Sequence, residues 1–351
     1  MKILVISSLN VHLLNFLDLL GSASSSFEIT VVSDNTENSK IKYPLFQTNF
    51  SLKNPIKLLF NIYKLSKIIK SISPSIIHIH QANSVALISH LAIKWSGHKP
   101  HKTILTTWGS DILIAPERSI ILKQIVKYVI KKSDIITYDA KVVYDKILSL
   151  LPQQNKNKFK FFFYGIDVPK NIDVSKKENI IYSNRLHKPL YRIDKIITAF
   201  ELFSKQYPSW QLVIAATGQE TERLKKYVTE NNLSDKVSFV GWIDKQQNFN
   251  WYMKAKIYVS IPESDAGSVS LIEAMASKCF CVASKIPANI ELLTKESGYL
   301  VENVDEDFLP AAMNAYTIYF NAVETATKVM QYSKEEQTKN ILSIYNSHRN
   351  D

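Results

Sequence analysis

Residues 257–284, IYVSIPESDAGSVSLIEAMASKCFCVAS, decide the fold of this chain. A β-branched run at 257–261 is followed by a small polar loop, a helical pattern at Ser268–Ser277 and a second strand-like run at Cys279–Ser284. A strand, a helix and a strand in this order are typical of a parallel sheet, because the helix carries the chain back to the start of the next strand. The stretch therefore predicts an α/β domain.

The same alternation of strand-like and helical patterns occurs in two series. The first runs from Lys2–Ser7 to Lys160–Tyr164, and the second from Asn179–Ser183 to Cys279–Ser284. The turn-rich segment Gly165–Pro169 separates them. A length of 351 residues fits two domains of roughly 100–200 residues each. We predict two Rossmann-like, doubly wound domains that face a cleft, with ligands at the carboxyl ends of the strands.

The loop before the helix carries residue types suited to a phosphate and a sugar. Gly267 stands at the helix entrance, and the first backbone N–H groups, those of Ser268 and Val269, are predicted to point outward at the positive end of the helix dipole. Asp265 precedes the turn and Glu273 lies almost two turns into the helix, so both acids can address one cleft. The alternative, that Asp265 and Ser268 only cap the helix and Glu273 is solvated, stays open on the residues alone.

Two acids with seven residues between them, followed by Ala-Met-Ala, resemble the signature of the family 4 glycosyltransferases, which have the GT-B fold. The resemblance implies that Asp265 approaches the donor sugar and that Glu273 holds the ribose of the nucleotide. The family usually has Glu at the first position, and the shorter Asp265 bears on the sugar preference. It also implies an acceptor-side domain at 1–166, a nucleotide-sugar-binding domain at 170–330, and a terminal helix at 331–351 that returns to the first domain.

Further donor-binding positions follow the order of the family motifs. Arg185 in Ser-Asn-Arg-Leu matches the arginine that binds the diphosphate. The usual Lys-Gly pair is absent, so Arg192 is the favoured substitute cation and Lys188 its rival; a solvated basic turn is the alternative. The turn at Gly241, with Trp242 after it, is similar to the position where the backbone approaches the nucleotide base.

The N-terminal half matches the family less closely. Asn10 and His12 follow the first strand, where the family has a glycine-rich loop, and His80 ends a later strand. We place Asn10 on the acceptor side and count His12 and His80 as catalytic candidates beside Asp265, although each histidine is equally compatible with a structural role. Trp108 occupies the position that often carries the active-site histidine, which favours a stacking surface for a sugar. Asp111 is a candidate for the acceptor site or for ordering its loop.

The net charge of +11 is unevenly distributed. Residues 1–170 contain 22 basic and 10 acidic side chains, a balance of +12, and residues 171–351 contain 21 and 22, a balance of −1. The lysine-rich helical stretches 53–70 and 123–132 indicate either docking on an anionic membrane surface or an ordinary solvent face. No nucleic-acid-binding motif is present, and we predict no nucleic acid partner.

We therefore predict a retaining, metal-independent glycosyltransferase of the hexosyltransferase type, without a cofactor. A UDP-sugar is the favoured donor, GDP is not excluded, and a glycan or lipid-linked envelope molecule is the acceptor. The chain lacks a Gly-x-Gly-x-x-Gly motif, which argues against a dinucleotide cofactor. The two cysteines indicate core packing in a reduced, cytoplasmic protein, with peripheral attachment to the inner face of the membrane left open. The rival hypotheses are a noncatalytic GT-B protein that binds nucleotide sugars and, third, a basic nucleic-acid-binding protein.

Overall fold

The computed structural model of the chain describes residues 1–35, 41–305 and 308–347. These residues form two compact units. The N-terminal unit contains the described residues of 1–165 and 334–347, and the C-terminal unit contains those of 166–333. Residues 348–351, which the sequence places in the terminal helix, lie outside the described residues. No helix in the described part is long and apolar enough to cross a membrane.

The N-terminal unit contains a seven-stranded parallel sheet in the order β3-β2-β1-β4-β5-β6-β7. The strands are β1 (Lys2–Ile6), β2 (Glu28–Ser33), β3 (Leu45–Gln47), β4 (Ile76–His80), β5 (Lys102–Thr106), β6 (Ile135–Tyr138) and β7 (Phe159–Phe161). The helices between them are α1 (Val11–Ala23), α2 (Pro55–Ile72), α3 (Ser84–Ser96), α4 (Ser110–Leu113), α5 (Ala115–Arg118), α6 (Ile120–Lys132) and α7 (Lys141–Leu150). Strands buried on both faces explain why β-branched residues dominate them.

The C-terminal unit contains a six-stranded parallel sheet in the order β10-β9-β8-β11-β12-β13. Its strands are β8 (Glu178–Ser183), β9 (Gln211–Ala215), β10 (Val237–Gly241), β11 (Ala255–Ser260), β12 (Phe280–Ser284) and β13 (Gly298–Val301). Its helices are α8 (Ile193–Gln206), α9 (Thr221–Glu230), α10 (Lys245–Lys254), α11 (Val269–Ala276), α12 (Pro287–Leu292), α13 (Phe308–Tyr319) and α14 (Ala322–Lys328). Both sheets have the Rossmann-type strand order, and the predicted α/β class is confirmed.

The last helix, α15 (Lys334–Asn346), belongs to the N-terminal unit. Its side chains Ile341, Ile344 and Tyr345 join the core formed around the first strand and α1. The Tyr345 hydroxyl lies 2.8 Å from Nδ1 of the buried His78, and the ammonium of Lys102 donates to the Ile344 carbonyl at 2.7 Å. A buried polar connection thus fixes the end of the chain against β4 and β5.

Chain order reverses beside the first strand of each sheet. In the N-terminal unit β1 lies between β2 and β4, and in the C-terminal unit β8 lies between β9 and β11. Loops that leave the two strands of such a pair diverge to opposite faces of the sheet and open a crevice at their carboxyl ends. The switch point of the N-terminal sheet therefore lies between β1 and β4, and that of the C-terminal sheet lies between β8 and β11.

Some elements differ from the sequence-based expectation. The sequence placed the terminal helix at 331–351, whereas α15 begins at Lys334 and is preceded by the separate helices α13 and α14. Asn321 accounts for one break, because its side chain accepts hydrogen bonds from Val323 N and Glu324 N and so begins a new helix. The prediction of core packing for Cys279 and Cys281 is confirmed, since both thiols are free and buried.

Candidate functional site

The loops after β8 and β11 meet at one edge of the C-terminal sheet. The two strands pair in parallel, with Tyr182 opposite Tyr258, so their carboxyl ends lie side by side. Arg185 follows the first strand and Asp265 follows the second. The Nη2 atom of Arg185 lies 2.9 Å from Oδ2 of Asp265, and both side chains are largely buried. An ion pair therefore stands at the switch point of this sheet.

Arg185 also connects its loop to the start of α11. Its Nη1 atom donates to the hydroxyls of Ser268 at 2.9 Å and Ser270 at 3.0 Å. The guanidinium carbon lies 4.4 Å from the centre of the Tyr191 ring. Contacts on both terminal nitrogens and on one face of the plane fix the orientation of the guanidinium.

The amino terminus of α11 lies beside this guanidinium. Ser268 is the N-cap residue, yet no side chain caps the helix. The hydroxyl of Ser268 faces Arg185 and the carboxylate of Asp265 accepts from the N–H of Ala266 at 3.0 Å. The alternative that these two residues only cap the helix is therefore wrong. The first-turn amides and the helix dipole favour an anion here, next to the positive charge of Arg185.

Glu273 lies on the second turn of α11 in a half-buried position. Burial raises the pKa of its carboxyl to about 7, against a smaller opposing effect from Lys245. The Nδ2 atom of Asn248 lies 3.5 Å from Oε2 of Glu273. Glu273 is thus only partly accessible to solvent. The carboxylate borders a cavity of about 420 Å³, which is lined by Asp167, Lys245, Gln246, Asn248, Phe249, Tyr252, Glu273 and Ser277.

A polar network lies beneath these residues. The amide of Asn184 donates to Oδ1 of Asn248 at 2.9 Å and to the Tyr252 hydroxyl at 2.8 Å, and it accepts from the Tyr258 hydroxyl at 2.8 Å. The Tyr182 hydroxyl donates to the same Asn248 oxygen at 2.6 Å. The sequence did not identify this network. Asn184 adjoins Arg185 and is the one member that the motif could have indicated.

The other predicted cations have separate positions. Arg192 precedes α8 in a left-handed conformation with φ 52°, and its Nη2 atom lies 3.4 Å from Oε1 of Glu263. Glu263 belongs to the same loop as Asp265, so Arg192 also faces the loop after β11. Lys188 is exposed. Both cations thus lie in the segment that follows β8, near Arg185 along the chain.

Gly241 and Trp242 stand at the end of β10, two strands away from β8 in the sheet. Gly241 has φ +69°, which favours glycine, and its carbonyl accepts from Ala216 N at 2.7 Å. The Trp242 side chain is 73% exposed. A turn with an exposed indole is therefore available at this edge of the C-terminal unit.

In the N-terminal unit, three predicted residues come together: His12 in the first turn of α1, His80 at the end of β4 and Trp108 in the loop after β5. The ring centres of His12 and Trp108 are 4.8 Å apart, and those of His80 and Trp108 are 5.8 Å apart. The Nδ1 atom of His12 lies 2.7 Å from the Tyr164 hydroxyl. The sequence named the first three residues, and Tyr164 was missed as a member of this cluster.

His80 is the interior member of the cluster. It is fully buried, and neither ring nitrogen has a hydrogen-bond partner among the described residues. Burial, and next the charge of His12, lowers the pKa of His80 to about 3, so its ring is neutral at physiological pH. The half-buried His12 and Trp108 are more accessible to an incoming molecule.

Asn10 and Asp111 have well-defined local partners. Asn10 is the N-cap of α1, and its side chain accepts from the amides of His12 and Leu13. The Asp111 carboxylate accepts from the N–H groups of Ala82 at 2.6 Å and Trp108 at 3.0 Å. Burial raises the pKa of Asp111 to about 6. Asp111 thereby orders the loop that carries Trp108.

Family profiles match both units of the chain. A profile described as glycosyl transferases group 1 matches residues 147–317, and one described as glycosyl transferase 4-like matches residues 2–140. The chain belongs to the GT-B glycosyltransferases of the family 4-like type. Glycosyltransferase is accordingly the class of enzyme to which it belongs, as the sequence predicted.

Known relatives of this glycosyltransferase match over part of their length. An uncharacterized glycosyltransferase of Haemophilus influenzae is 29% identical over 145 residues, which are 40% of this chain and 40% of that protein. The lipopolysaccharide core biosynthesis mannosyltransferase LpcC of Rhizobium leguminosarum is 29% identical over 129 residues, 35% of this chain and 36% of that protein. The aligned parts thus span well under half of these relatives.

The fold matches solved structures over their full length. HepE of Anabaena, solved in complex with UDP and glucose, has a TM-score of 0.79 with 13% identity, covering 99% of this chain and 100% of that one. At this identity the likeness shows the fold alone. The GT-B architecture of this glycosyltransferase is therefore confirmed.

Proposed function

We propose that this glycosyltransferase transfers a sugar from a nucleoside diphosphate, UDP in the first place, to a glycan or lipid-linked acceptor of the cell envelope. The observation that carries the proposal is the placement of Arg185 between Asp265 and the uncapped start of α11. A fixed guanidinium and a helix amino terminus side by side suit the oxygens of a diphosphate, since both donate hydrogen bonds to phosphate. The UDP complex of HepE and the function of LpcC support this choice of donor and acceptor class.

In the proposed donor complex each residue has one task. The diphosphate is neutralised by Arg185, by the entrance of α11 at Gly267, Ser268 and Val269, and by either Arg192 or Lys188. Glu273 accepts hydrogen bonds from the ribose hydroxyls at the rim of its cavity. The base lies against the turn at Gly241 and Trp242, where a positive φ and an exposed indole leave the backbone and a stacking face open.

The proposed reaction retains the configuration at the anomeric carbon and uses no divalent metal. Charge that develops on the leaving phosphate oxygen is stabilised by the guanidinium and the α11 amides, which is the help that a metal gives in other transferases. The acceptor hydroxyl attacks from the face that the phosphate leaves, and the leaving oxygen takes its proton. Asp265 orients the donor sugar and needs no nucleophilic role.

On the acceptor side, we assign contact with the sugar of the acceptor to the side chains of His12 and Trp108. His12 is held by the Tyr164 hydroxyl, and Trp108 by the loop that Asp111 orders. The neutral, buried His80 packs behind them and supports their positions. The lysine-rich helices α2 and α6 dock on the anionic inner face of the membrane, where a lipid-linked acceptor would be found.

The test uses purified protein and a panel of nucleotide sugars in excess EDTA. The proposal expects UDP release from one donor, faster with a lipid-linked glycan acceptor, and NMR of the first product with the anomeric configuration of the donor. An inverted product, or activity that manganese restores after chelation, would refute the mechanism. Donor binding without any turnover would favour the noncatalytic alternative, which Trp108 and Asp265 suggest because both depart from the family pattern.

A further inference from the structure

The outward face of α2 exposes a row of large apolar side chains. Ile56 is 79% exposed, Leu59 55%, Phe60 63% and Tyr63 45%. We call these four residues the apolar row. The opposite face of the helix packs into the unit through Ile62, Leu65, Ile68 and Ile69. Ordinary amphipathic helices carry polar residues outward, so an apolar row on the solvent side calls for a partner.

Aromatic and basic groups continue the apolar row. Trp95 of α3 is 55% exposed, and its ring centre lies 6.3 Å from that of Tyr63 in an edge-on arrangement. The ammonium of Lys67 lies 5.4 Å from the centre of the Tyr63 ring. Trp, Tyr and Lys in contact are the residue types that lie at the level of lipid headgroups.

The charges around the apolar row have one sign. Five lysines of this region are exposed: Lys53, Lys57, Lys64, Lys67 and Lys70. Within the described part of the chain, none of the five forms an ion pair with a carboxylate. The sequence contains no Asp or Glu from residue 38 to residue 110. The partner of this surface is therefore anionic as well as apolar.

We propose that the apolar row of α2 inserts into a bilayer that contains anionic lipids, while the five lysines contact the lipid phosphates. The inference extends the electrostatic docking proposed above: it assigns insertion to α2 and names the residues that enter the apolar layer. Residues 56–63 span about 10 Å of helix, and a helix lying in the interface typically buries its apolar face to a depth of about 5–10 Å.

Two other partners fit the surface less well. A second copy of the chain would bring the five lysines of one copy close to those of the other, and like charges would repel. A nucleic acid would pair with the lysines and stack on Phe60, Tyr63 or Trp95. It would leave Ile56 and Leu59 in water, however, because aliphatic side chains offer no stacking face.

Vesicle co-sedimentation tests the inference. Wild-type protein is expected to bind vesicles of phosphatidylglycerol and phosphatidylethanolamine and not vesicles of phosphatidylcholine. The variant Ile56→Ser/Phe60→Ser should bind the anionic vesicles at least tenfold more weakly. The variant Lys57→Gln/Lys64→Gln/Lys67→Gln should lose most of the salt-sensitive part of the binding. A matched control, Ile318→Ser/Val323→Ser, removes two side chains of the C-terminal unit that are each 68% exposed and should leave binding unchanged.

Tryptophan fluorescence provides a second readout. Brominated lipids should quench the tryptophan fluorescence of the wild-type protein, and the Trp95→Phe substitution should remove most of that quenching. The inference is overturned if the wild-type protein does not bind anionic vesicles, or if the Ile56→Ser/Phe60→Ser variant binds them as strongly as the wild type. A dimer that dissociates in that variant, or oligonucleotide binding that depends on the same two residues, would also overturn it. UDP calorimetry on the same samples separates the two proposals, because failure at the vesicles leaves UDP binding intact.

Discussion

The Nη2 atom of Arg185 lies 2.9 Å from Oδ2 of Asp265. The cation that we assign to the donor diphosphate therefore holds the acid that we assign to the donor sugar. One guanidinium has enough N–H groups to bind a carboxylate and a phosphate oxygen together. The negative charge of Asp265 nevertheless offsets part of the attraction of Arg185 for the diphosphate. The pair thus couples nucleotide affinity to the placement of the sugar.

Asp265→Asn should separate these two effects. Removal of the negative charge should strengthen UDP binding by about threefold to tenfold, or roughly 1 kcal/mol. Turnover of the nucleotide sugar should fall by at least tenfold, because the sugar loses a charged orienting contact. Calorimetry gives the first value and a UDP-release assay the second. Asp305→Asn, which breaks an exposed ion pair with Lys195, is the control. Unchanged UDP affinity in Asp265→Asn would show that the pair does not modulate the diphosphate site.

Glu273→Gln should alter the pH dependence of stability. The folded-state pKa of about 7 lies above the ordinary value of 4.5, so between these pH values the folded protein binds more protons than the unfolded chain. Wild-type stability therefore falls as pH rises through this window. The neutral glutamine removes this pH dependence. As pH rises from 4 to 8, the free energy of unfolding of the variant should therefore increase by on the order of 3 kcal/mol relative to that of the wild type.

Urea unfolding at several pH values measures this difference for the C-terminal unit. Glu222→Gln on the surface of α9 is the control and should follow wild type at each pH. A Glu273→Gln variant whose stability also tracks wild type from pH 4 to pH 8 would show that the carboxyl is not held in its neutral form by burial.

Lys102→Met should loosen the terminal helix. The ammonium is almost fully buried in β5 and donates to the Ile344 carbonyl at 2.7 Å and to the carbonyl and hydroxyl of Ser347 at 2.6 and 2.9 Å. Hydrogen bonds from a charged group typically contribute about 1.5–3 kcal/mol to the free energy of unfolding. We therefore expect the variant to lose about 2 kcal/mol of stability. Amide exchange in α15 should accelerate. The exposed Lys99→Met should change neither quantity, and equal exchange in both variants would contradict this role.

The sequence predicted the fold well, because β-branched runs alternate with longer helical patterns and leave few other architectures. The prediction failed for elements that are short or in which apolar and polar residues do not alternate clearly. The strand Leu45–Gln47 has three residues, too few to show any periodicity, and α10 begins with a polar run that hides its apolar positions.

The residue types of the candidate site could be predicted from the sequence, but the contacts between these residues could not. The acids, the arginine and the helix entrance were visible because they lie within short motifs. The hydrogen bond between Asn184 and Asn248 joins positions 64 residues apart, and such a pair depends on the finished packing. Burial of His80 likewise became visible only with the three-dimensional cluster. The retaining mechanism, the donor roles and the acceptor stay predictions.

Calorimetric titration of UDP in excess EDTA tests the central claim, a diphosphate site at Arg185 and a ribose site at Glu273. Wild-type protein should bind UDP, and Arg185→Ala and Glu273→Ala should each bind it about tenfold to hundredfold more weakly, the loss of one charge-assisted contact. Arg223→Ala, which removes an exposed arginine paired with Glu220, should bind like wild type. Unchanged UDP affinity in both folded site variants would contradict the account.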